Sequence, residues 1–409
     1  MKVQRIILVV LLILLLALAL AGGLTLVTRF WLLSVTVLLI SYLWVRLGTG
    51  GLEAEVGQLP DFCQVGEGFD EEITVTNKGK LPKLSLRVEE DSSLPGHSNS
   101  AVFNLSPGSS YRWKNHTHYQ RRGQHYLGSV TATVTDPFGL FSRQRKLGEP
   151  QSILVYPATL ELPLFESSPI NVSGYNTGYQ SFSQLSPNAS SVREYNTGDS
   201  LNHIHWQSTA HTSRLMVKVF DSDHLHSGSE RVWIILDMQE APHLGEDEGS
   251  TEEYGVTIAA SLLKKYSDSG MQVGLVASGD RHYLFPPERG EEHLWHMIEA
   301  LALMKATGKT PVDRLVSDEI EYLKGTSTVI IITPSDSERV VATMQQLKNR
   351  GNLAVAILLE PTSFGGNANP VNIARNLNGR GIQVYTVRKG DDLARALDNR
   401  FSSPHIRYI

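Results

Sequence analysis

An apolar segment near the N-terminus restricts where this chain can be placed. Residues 6–27, IILVVLLILLLALALAGGLTLV, contain no charge. A helix of this length, rising about 1.5 Å per residue, crosses a hydrocarbon core of roughly 30 Å. A second apolar segment, residues 30–45, follows after Thr28 and Arg29. The pair predicts a two-helix transmembrane hairpin over residues 1–51. A cleaved signal peptide is the alternative, although its apolar region usually spans only about 7 to 15 residues.

The positive charges around this hairpin predict its orientation. Lys2 and Arg5 precede the first segment and Arg46 follows the second, whereas only Arg29 lies in the connecting turn. Lys and Arg are enriched in cytoplasmic loops of membrane proteins. The sequence therefore predicts a multi-pass protein of the cell membrane with its soluble portion in the cytoplasm.

Composition limits the number of domains and the classes of binding partner. The chain has 409 residues, which is enough for two or three domains. Its formal net charge of -5 gives no basic surface for nucleic acid. Its single cysteine, Cys63, excludes an internal disulfide framework and a cysteine-based zinc cluster.

Residues 52–158 show an apolar pattern with a period of two, separated by the turn-forming segments NKGK, LSPGSS and DPFG. The alternating residues are Ile73, Val75, Leu84, Leu86, Val88, Val130, Ala132 and Val134. Short strands at this spacing predict an all-β sandwich domain. A segment rich in Ser, Asn, Pro and Gly follows, and residues 159–230 are predicted to form a linker and a further hairpin.

Residues 231–409 alternate between short apolar strands and helical patterns. The predicted strands are RVWIILDM, MQVGLVAS, STVIIITP, LAVAILLE and IQVYTVR. Buried strands that alternate with amphipathic helices predict a doubly wound α/β domain with a parallel sheet. Ligands of such domains bind at the carboxyl ends of the strands.

The segment REYNTGDSLNHIHW, residues 193–206, together with RLMVKVFD, RRGQHYLGSV and DPFGLFSR, resembles the domain-of-unknown-function 58 family. The resemblance covers essentially the whole chain. It implies a membrane hairpin, a β-domain, this signature and a von Willebrand factor A-like α/β domain, in that order. It also implies a partnership with MoxR-type AAA+ ATPases.

The signature has its own alternating pattern. Ile204 and Trp206 alternate with histidines, and Leu215, Val217 and Val219 alternate after a polar turn, which predicts a hairpin with Trp206 as a buried anchor. No nucleophile is paired with a base at a recognisable spacing, so we predict an interaction protein that is not an enzyme and needs no cofactor. The predicted binding residues are Arg193, Glu194, Tyr195, Gly198, Asp199, Trp206 and Arg214.

A metal-dependent hydrolase is the alternative function. His203 and His205 would share one strand face, His211 follows closely, and imidazoles two apart on a strand can bind one zinc ion. The His-x-His-x-Asp pattern of metal hydrolases would place an aspartate where this chain has Gln207. The interaction protein is therefore the preferred hypothesis.

The first strand of the α/β domain ends in a second candidate site. A-like domains hold a cation with Asp-x-Ser-x-Ser at this point, whereas this chain has Asp237, Gln239 and Ala241. Both hydroxyl ligands are missing, although Thr333 follows a later strand. Magnesium requires a near-octahedral set of oxygen ligands. The sequence therefore predicts weak Mg²⁺ binding or none.

Overall fold

The computed structural model describes residues 13, 16, 17, 25–57, 60, 62–165, 191–194, 205–212, 214–219, 231–323, 327–367 and 371–398. The chain divides into two compact units, one of Met1–Ala158 with Ile298–Leu303 and one of Thr159–Met297 with Met304–Ile409. The boundaries predicted from the sequence for the hairpin, the β-domain, the linker and the α/β domain stay predictions.

Among the described residues of the N-terminal region, one long apolar helix, α1, spans Thr25–Gly48. Its mean hydropathy is 1.8 and only 6% of the apolar part is buried, which is compatible with either a membrane span or a signal sequence. Thr28 and Arg29 are inside this helix, so the predicted turn at these residues is wrong. Neither residue breaks a helix as Pro or Gly does. The first predicted span falls mostly outside the described residues.

The last turn of α1 is bound by basic side chains from the β-domain. Lys83 Nζ donates to the Leu47 carbonyl at 3.3 Å, and Arg143 donates to the Arg46 carbonyl at 3.0 Å. Arg145 donates to the Thr49 carbonyl just beyond the helix, also at 3.0 Å. Carbonyls at a helix C-terminus lack partners within the helix and carry partial negative charge, so cationic donors stabilise them.

Ten strands follow in the β-domain. They are β1 (Leu52–Val56), β2 (Cys63–Gln64), β3 (Gly68–Asn77), β4 (Lys83–Asp91), β5 (Ser100–Leu105), β6 (Ser110–His118), β7 (Gly123–Leu127), β8 (Ser129–Thr135), β9 (Ser142–Leu147) and β10 (Gln151–Tyr156). They form three sheets with the strand orders β1-β3-β6, β2-β10-β7 and β5-β4-β8-β9. The first and third sheets share one apolar core. The sandwich as a fold class stays a prediction.

Most of the predicted alternating residues lie in this core, but Leu84 does not. Leu84 is 44% exposed, because the pairing of β4 with β5 shifts register between Lys83 and Leu86. Ser85 has a positive φ of 49° at the shift. Such a bulge reverses which face the side chains occupy. Lys83 is therefore buried in place of Leu84, and burial lowers the pKa of its ammonium group.

The α/β domain is built on a six-stranded sheet of order β15-β14-β13-β16-β17-β18. Its strands are β13 (Arg231–Leu236), β14 (Gln272–Ser278), β15 (His282–Glu288), β16 (Thr328–Thr333), β17 (Leu353–Leu359) and β18 (Gln383–Val387). The helix α2 (Trp206–Thr212) precedes this domain in the chain. The helices of the domain are α3 (Thr251–Asp268), α4 (Glu291–Leu303), α5 (Val312–Asp318), α6 (Glu338–Asn349), α7 (Val371–Gly379) and α8 (Leu393–Ala396). The predicted mixed α/β class is confirmed. The sheet is parallel except for β15, an antiparallel edge strand that the sequence analysis missed.

Helices cover this sheet on two faces. Trp233 and Ile331 on one face share a core with residues of α5, α6 and α7, including Met344. On the other face, Gly255 of α3 lies so close to Leu236 that a Cβ there would stand 3.2 Å from its Cδ1. Continuous apolar strands are what burial on both faces requires. The carboxyl ends of the parallel strands therefore meet along one edge of the sheet.

Candidate functional site

The signature segment contains a short antiparallel pair, but not the predicted one. β11 (Ser191–Glu194) pairs with β12 (Met216–Val219), which places Arg193 opposite Val217 and Glu194 opposite Met216. The sequence predicts that the later strand pairs with residues 203–206. This prediction is wrong at Trp206, which begins a helix, and residues 203 and 204 lie outside the described residues.

This helix, α2 (Trp206–Thr212), is held by polar contacts at its start. His205 Nδ1 accepts from the Ser208 backbone N–H at 3.3 Å and lies 2.7 Å from the Ser208 hydroxyl. The His205 N–H donates to the Met216 carbonyl at 2.8 Å, and the Met216 N–H donates to the Thr209 hydroxyl at 3.0 Å. Side-chain acceptors that bind free N–H groups of the first turn stabilise a helix N-terminus. These contacts tie α2 to the start of β12.

Trp206 is 69% exposed, so the prediction of a buried anchor is wrong. Arg214 is also exposed and Leu215 is 44% exposed, whereas Val217 on β12 is buried. Within the described residues, the segment therefore presents an indole and a guanidinium group at the surface and packs through Val217.

The remaining predicted site residues are only partly described. Arg193 and Glu194 lie on β11, whereas Tyr195, Gly198 and Asp199 lie outside the described residues. The histidines of the hydrolase alternative divide in the same way. His203 is outside the described residues, His205 contacts Ser208, and His211 is exposed on α2.

Asp237 lies at the carboxyl end of β13 and is almost fully buried, at 1% exposure. Its Oδ2 accepts from the Thr333 hydroxyl at 2.6 Å, and its Oδ1 accepts from the Gln239 N–H at 3.1 Å. Burial raises the pKa of Asp237, while the two hydrogen bonds and nearby His243 act against that rise. Asp237 stands where A-like domains have their first cation ligand, Thr333 follows a later strand, and the structure brings the two side chains together.

A glycine that sequence analysis did not select for this site closes the loop after Asp237. Gly308 pairs with Gln239 in an isolated bridge, donates to the Met238 carbonyl at 3.0 Å and accepts from the Glu240 N–H at 2.9 Å. A Cβ at this position would stand 1.9 Å from the Ser278 carbonyl oxygen. Only glycine permits such a close backbone approach.

Mg²⁺ titration checks what this loop can bind. We expect no Mg²⁺ site with a dissociation constant below about 1 mM. Both oxygens of Asp237 accept hydrogen bonds, from Thr333 and Gln239, and the hydroxyl ligands that would complete an octahedral site are missing from positions 239 and 241. Isothermal titration of the purified chain measures this directly. Tight, saturable binding that Asp237→Ala abolishes would contradict the prediction.

The described residues form a mixed α/β structure with one long apolar helix near the N-terminus. Residues 191–337 match the model of a family described as "Protein of unknown function DUF58". This match confirms the resemblance seen in the signature.

One relative is the uncharacterized protein YeaD of Bacillus subtilis (strain 168), which is 27% identical over 206 residues. The match covers 49% of this chain and 47% of the relative, so the chain spans about half the length of that relative. Among solved structures, the SpRpn10 VWA domain is similar at 13% identity and a TM-score of 0.31, covering 42% of this chain and 95% of that domain. The CARDB domain of PF1109 from Pyrococcus furiosus is 18% identical, with a TM-score of 0.20, and covers 26% of this chain and 94% of that domain.

Proposed function

We propose that this chain is a membrane-tethered interaction protein without catalytic activity of its own, which works with a MoxR-type AAA+ ATPase in the assembly or maturation of protein complexes. In this proposal the N-terminal region is a two-span anchor, and the α/β domain is von Willebrand factor A-like. The apolar helix α1 and the DUF58 region support it. The net charge of -5 argues against nucleic acid as a partner.

The observation that carries the proposal is the exposure of Trp206. Tryptophan is the largest apolar side chain, and 69% of this one is accessible at the start of α2. Exposed aromatic and arginine side chains are enriched among the residues that dominate binding between proteins. Trp206 and nearby Arg214 supply both types within the family-matched region. We therefore place the docking surface on α2 and the turn that follows it.

Capture of a purified MoxR-type ATPase from the same cell by the full-length chain tests the proposal. Trp206→Ala should weaken capture at least tenfold, the effect of losing about 1.4 kcal/mol at an interface hot spot. Tyr322→Ala is the matched control, since Tyr322 is an exposed aromatic residue, at 57%, outside the signature. Equal capture by the parent and Trp206→Ala would refute the docking surface. Failure of the parent to bind would refute the partnership.

A reporter fusion tests the proposed anchor. A two-span hairpin with its basic flanks inside places the soluble portion in the cytoplasm. A reporter that is active only in the cytoplasm, fused after Ile409, should therefore be active. A single span in the opposite orientation would instead activate a reporter that works only in the periplasm.

A further inference from the structure

Three ionisable side chains converge inside the β-domain. Glu71 lies on β3, Glu90 on β4 and His97 between β4 and β5. Their side chains are almost completely buried, at 1%, 0% and 1% exposure respectively. Charged side chains are rarely buried to this extent unless they are paired or bind a metal.

The geometry of this cluster suits a shared cation. His97 Nε2 stands 2.9 Å from Glu90 Oε2 and 3.8 Å from Glu71 Oε2. One ligand atom from each of the three residues lies within 4.8 Å of the others. Ligands about 2.0 to 2.1 Å from a tetrahedral zinc ion are separated by about 3.3 Å. Small side-chain movements would bring all three residues to that spacing.

Surrounding groups orient the potential ligands. His97 Nδ1 lies 3.1 Å from the Thr117 hydroxyl, and Glu90 Oε1 accepts from the Gly128 N–H at 2.8 Å. Metal-binding histidines and carboxylates are commonly held by such outer contacts. In the tautomer that carries its proton on Nδ1, His97 donates to the Thr117 hydroxyl and its Nε2 has a lone pair for a metal ion.

Asn99 contacts both carboxylates, and its neutral amide does not balance their charge. Its Nδ2 donates to Glu71 Oε2 at 3.0 Å and to Glu90 Oε2 at 3.2 Å, while its Oδ1 accepts from Trp113 Nε1 at 2.8 Å. The bond from Trp113 fixes which end of the amide faces the acids. One neutral amide therefore stands between two buried carboxyl groups.

One oxygen of the cluster has no partner. Glu71 Oε1 is buried and makes no hydrogen bond, although a buried polar atom without a partner costs about 1 to 3 kcal/mol. Burial, a side-chain hydrogen bond with Glu90 and the charge of Glu90 raise the pKa of Glu71 to about 8. Two explanations compete for this oxygen, a ligand that occupies it or a proton on the carboxyl group.

We propose that Glu71, Glu90 and His97 bind one divalent transition-metal ion of the zinc type, which joins β3, β4 and the β4–β5 connection. One imidazole and two carboxylates are a donor set used by zinc and by related first-row metals. The unpartnered Oε1 of Glu71 supplies a lone pair for the metal, and the ion supplies the positive charge that Asn99 does not. The site is structural, because its ligands are buried.

Metal titration of the full-length chain tests the proposal. The chain is purified in detergent with a tag that contains no histidine, stripped with a chelator, and titrated with Zn²⁺ and separately with Co²⁺. We expect one equivalent of Zn²⁺ per chain, a higher melting temperature, and a Co²⁺ absorption spectrum of a low-symmetry site. No stoichiometric binding and an unchanged melting temperature in the parent would overturn the proposal, and this readout does not depend on any variant.

Variants locate the bound ion. Glu71→Gln and His97→Gln should each lose the equivalent of Zn²⁺ and the rise in melting temperature. His116→Gln is the matched control, since His116 pairs with Asp70 at 2.7 Å in the same domain but is exposed, and it should retain the ion. Binding retained by both Glu71→Gln and His97→Gln would overturn the assignment. If Glu71 is instead protonated and binds no metal, Glu71→Gln should melt no lower than the parent, and Zn²⁺ should not change the melting temperature of either protein.

Discussion

Replacing Trp233 with alanine should lower the free energy of unfolding of the α/β domain by about 3 to 5 kcal/mol, the usual cost of removing a large aromatic side chain from a core. Trp233 is 2% exposed in the middle of β13. It belongs to the cluster that joins the sheet to α5, α6 and α7, together with Ile331 and Val341. Urea denaturation of the full chain measures the change. It is monitored by far-ultraviolet circular dichroism and not by tryptophan fluorescence, because the substitution removes a tryptophan.

Trp206→Ala is the matched control for this prediction. The same substitution at a side chain that is 69% exposed should change the free energy of unfolding by no more than about 0.5 kcal/mol. A pair of variants with equal losses would show that Trp206 is buried after all. A small loss at Trp233 would instead contradict the core of the sheet.

Gly308→Ala should destabilise the same domain by about 3 kcal/mol or more, because overpacking against backbone cannot be relieved by a side-chain rotation. The added Cβ would stand 1.9 Å from the Ser278 carbonyl oxygen and 2.8 Å from the Met238 carbonyl oxygen. The loop after Asp237 would have to move. Urea denaturation measures the loss, and nuclear magnetic resonance of the Gln239 amide reports the displaced bridge.

Gly379→Ala provides the comparison. Gly379 ends α7, and apart from its chain neighbours and the nearby backbone of its own helix, no atom lies within 4 Å of the position a Cβ would take. Alanine loses less conformational freedom than glycine, so this variant should be unchanged or more stable by about 0.5 to 1 kcal/mol. Similar losses in the two glycine variants would remove the steric explanation for Gly308.

The α/β domain was predictable because its strands are continuous apolar runs that alternate with amphipathic helices. The exception is β15, whose sequence HYLFPPE contains two prolines and is partly exposed. Proline is tolerated in edge strands but obscures their pattern. Asp237 and Thr333 were predictable as neighbours because both follow parallel strands, whereas the close approach at Gly308 depends on loops that no periodicity describes.

The signature segment was mispredicted for a different reason. Alternation over only four residues does not distinguish a strand from the start of a helix. The helix at Trp206 depends on the contact between His205 and Ser208, which a pattern of apolar residues does not reveal. The sequence pattern also does not predict the cluster of Glu71, Glu90 and His97, because charged residues on strands usually face solvent.

Hydrogen bonds from basic side chains to the end of α1 determine whether this helix and the β-domain move together. Glycines at positions 48, 50 and 51 would by themselves favour a flexible connection after α1. Lys83, Arg143 and Arg145 instead fasten the last carbonyls of the helix and of Thr49 to strands of the β-domain. A tilt or rotation of α1 would therefore turn the β-domain with it and would not be absorbed by a flexible connection.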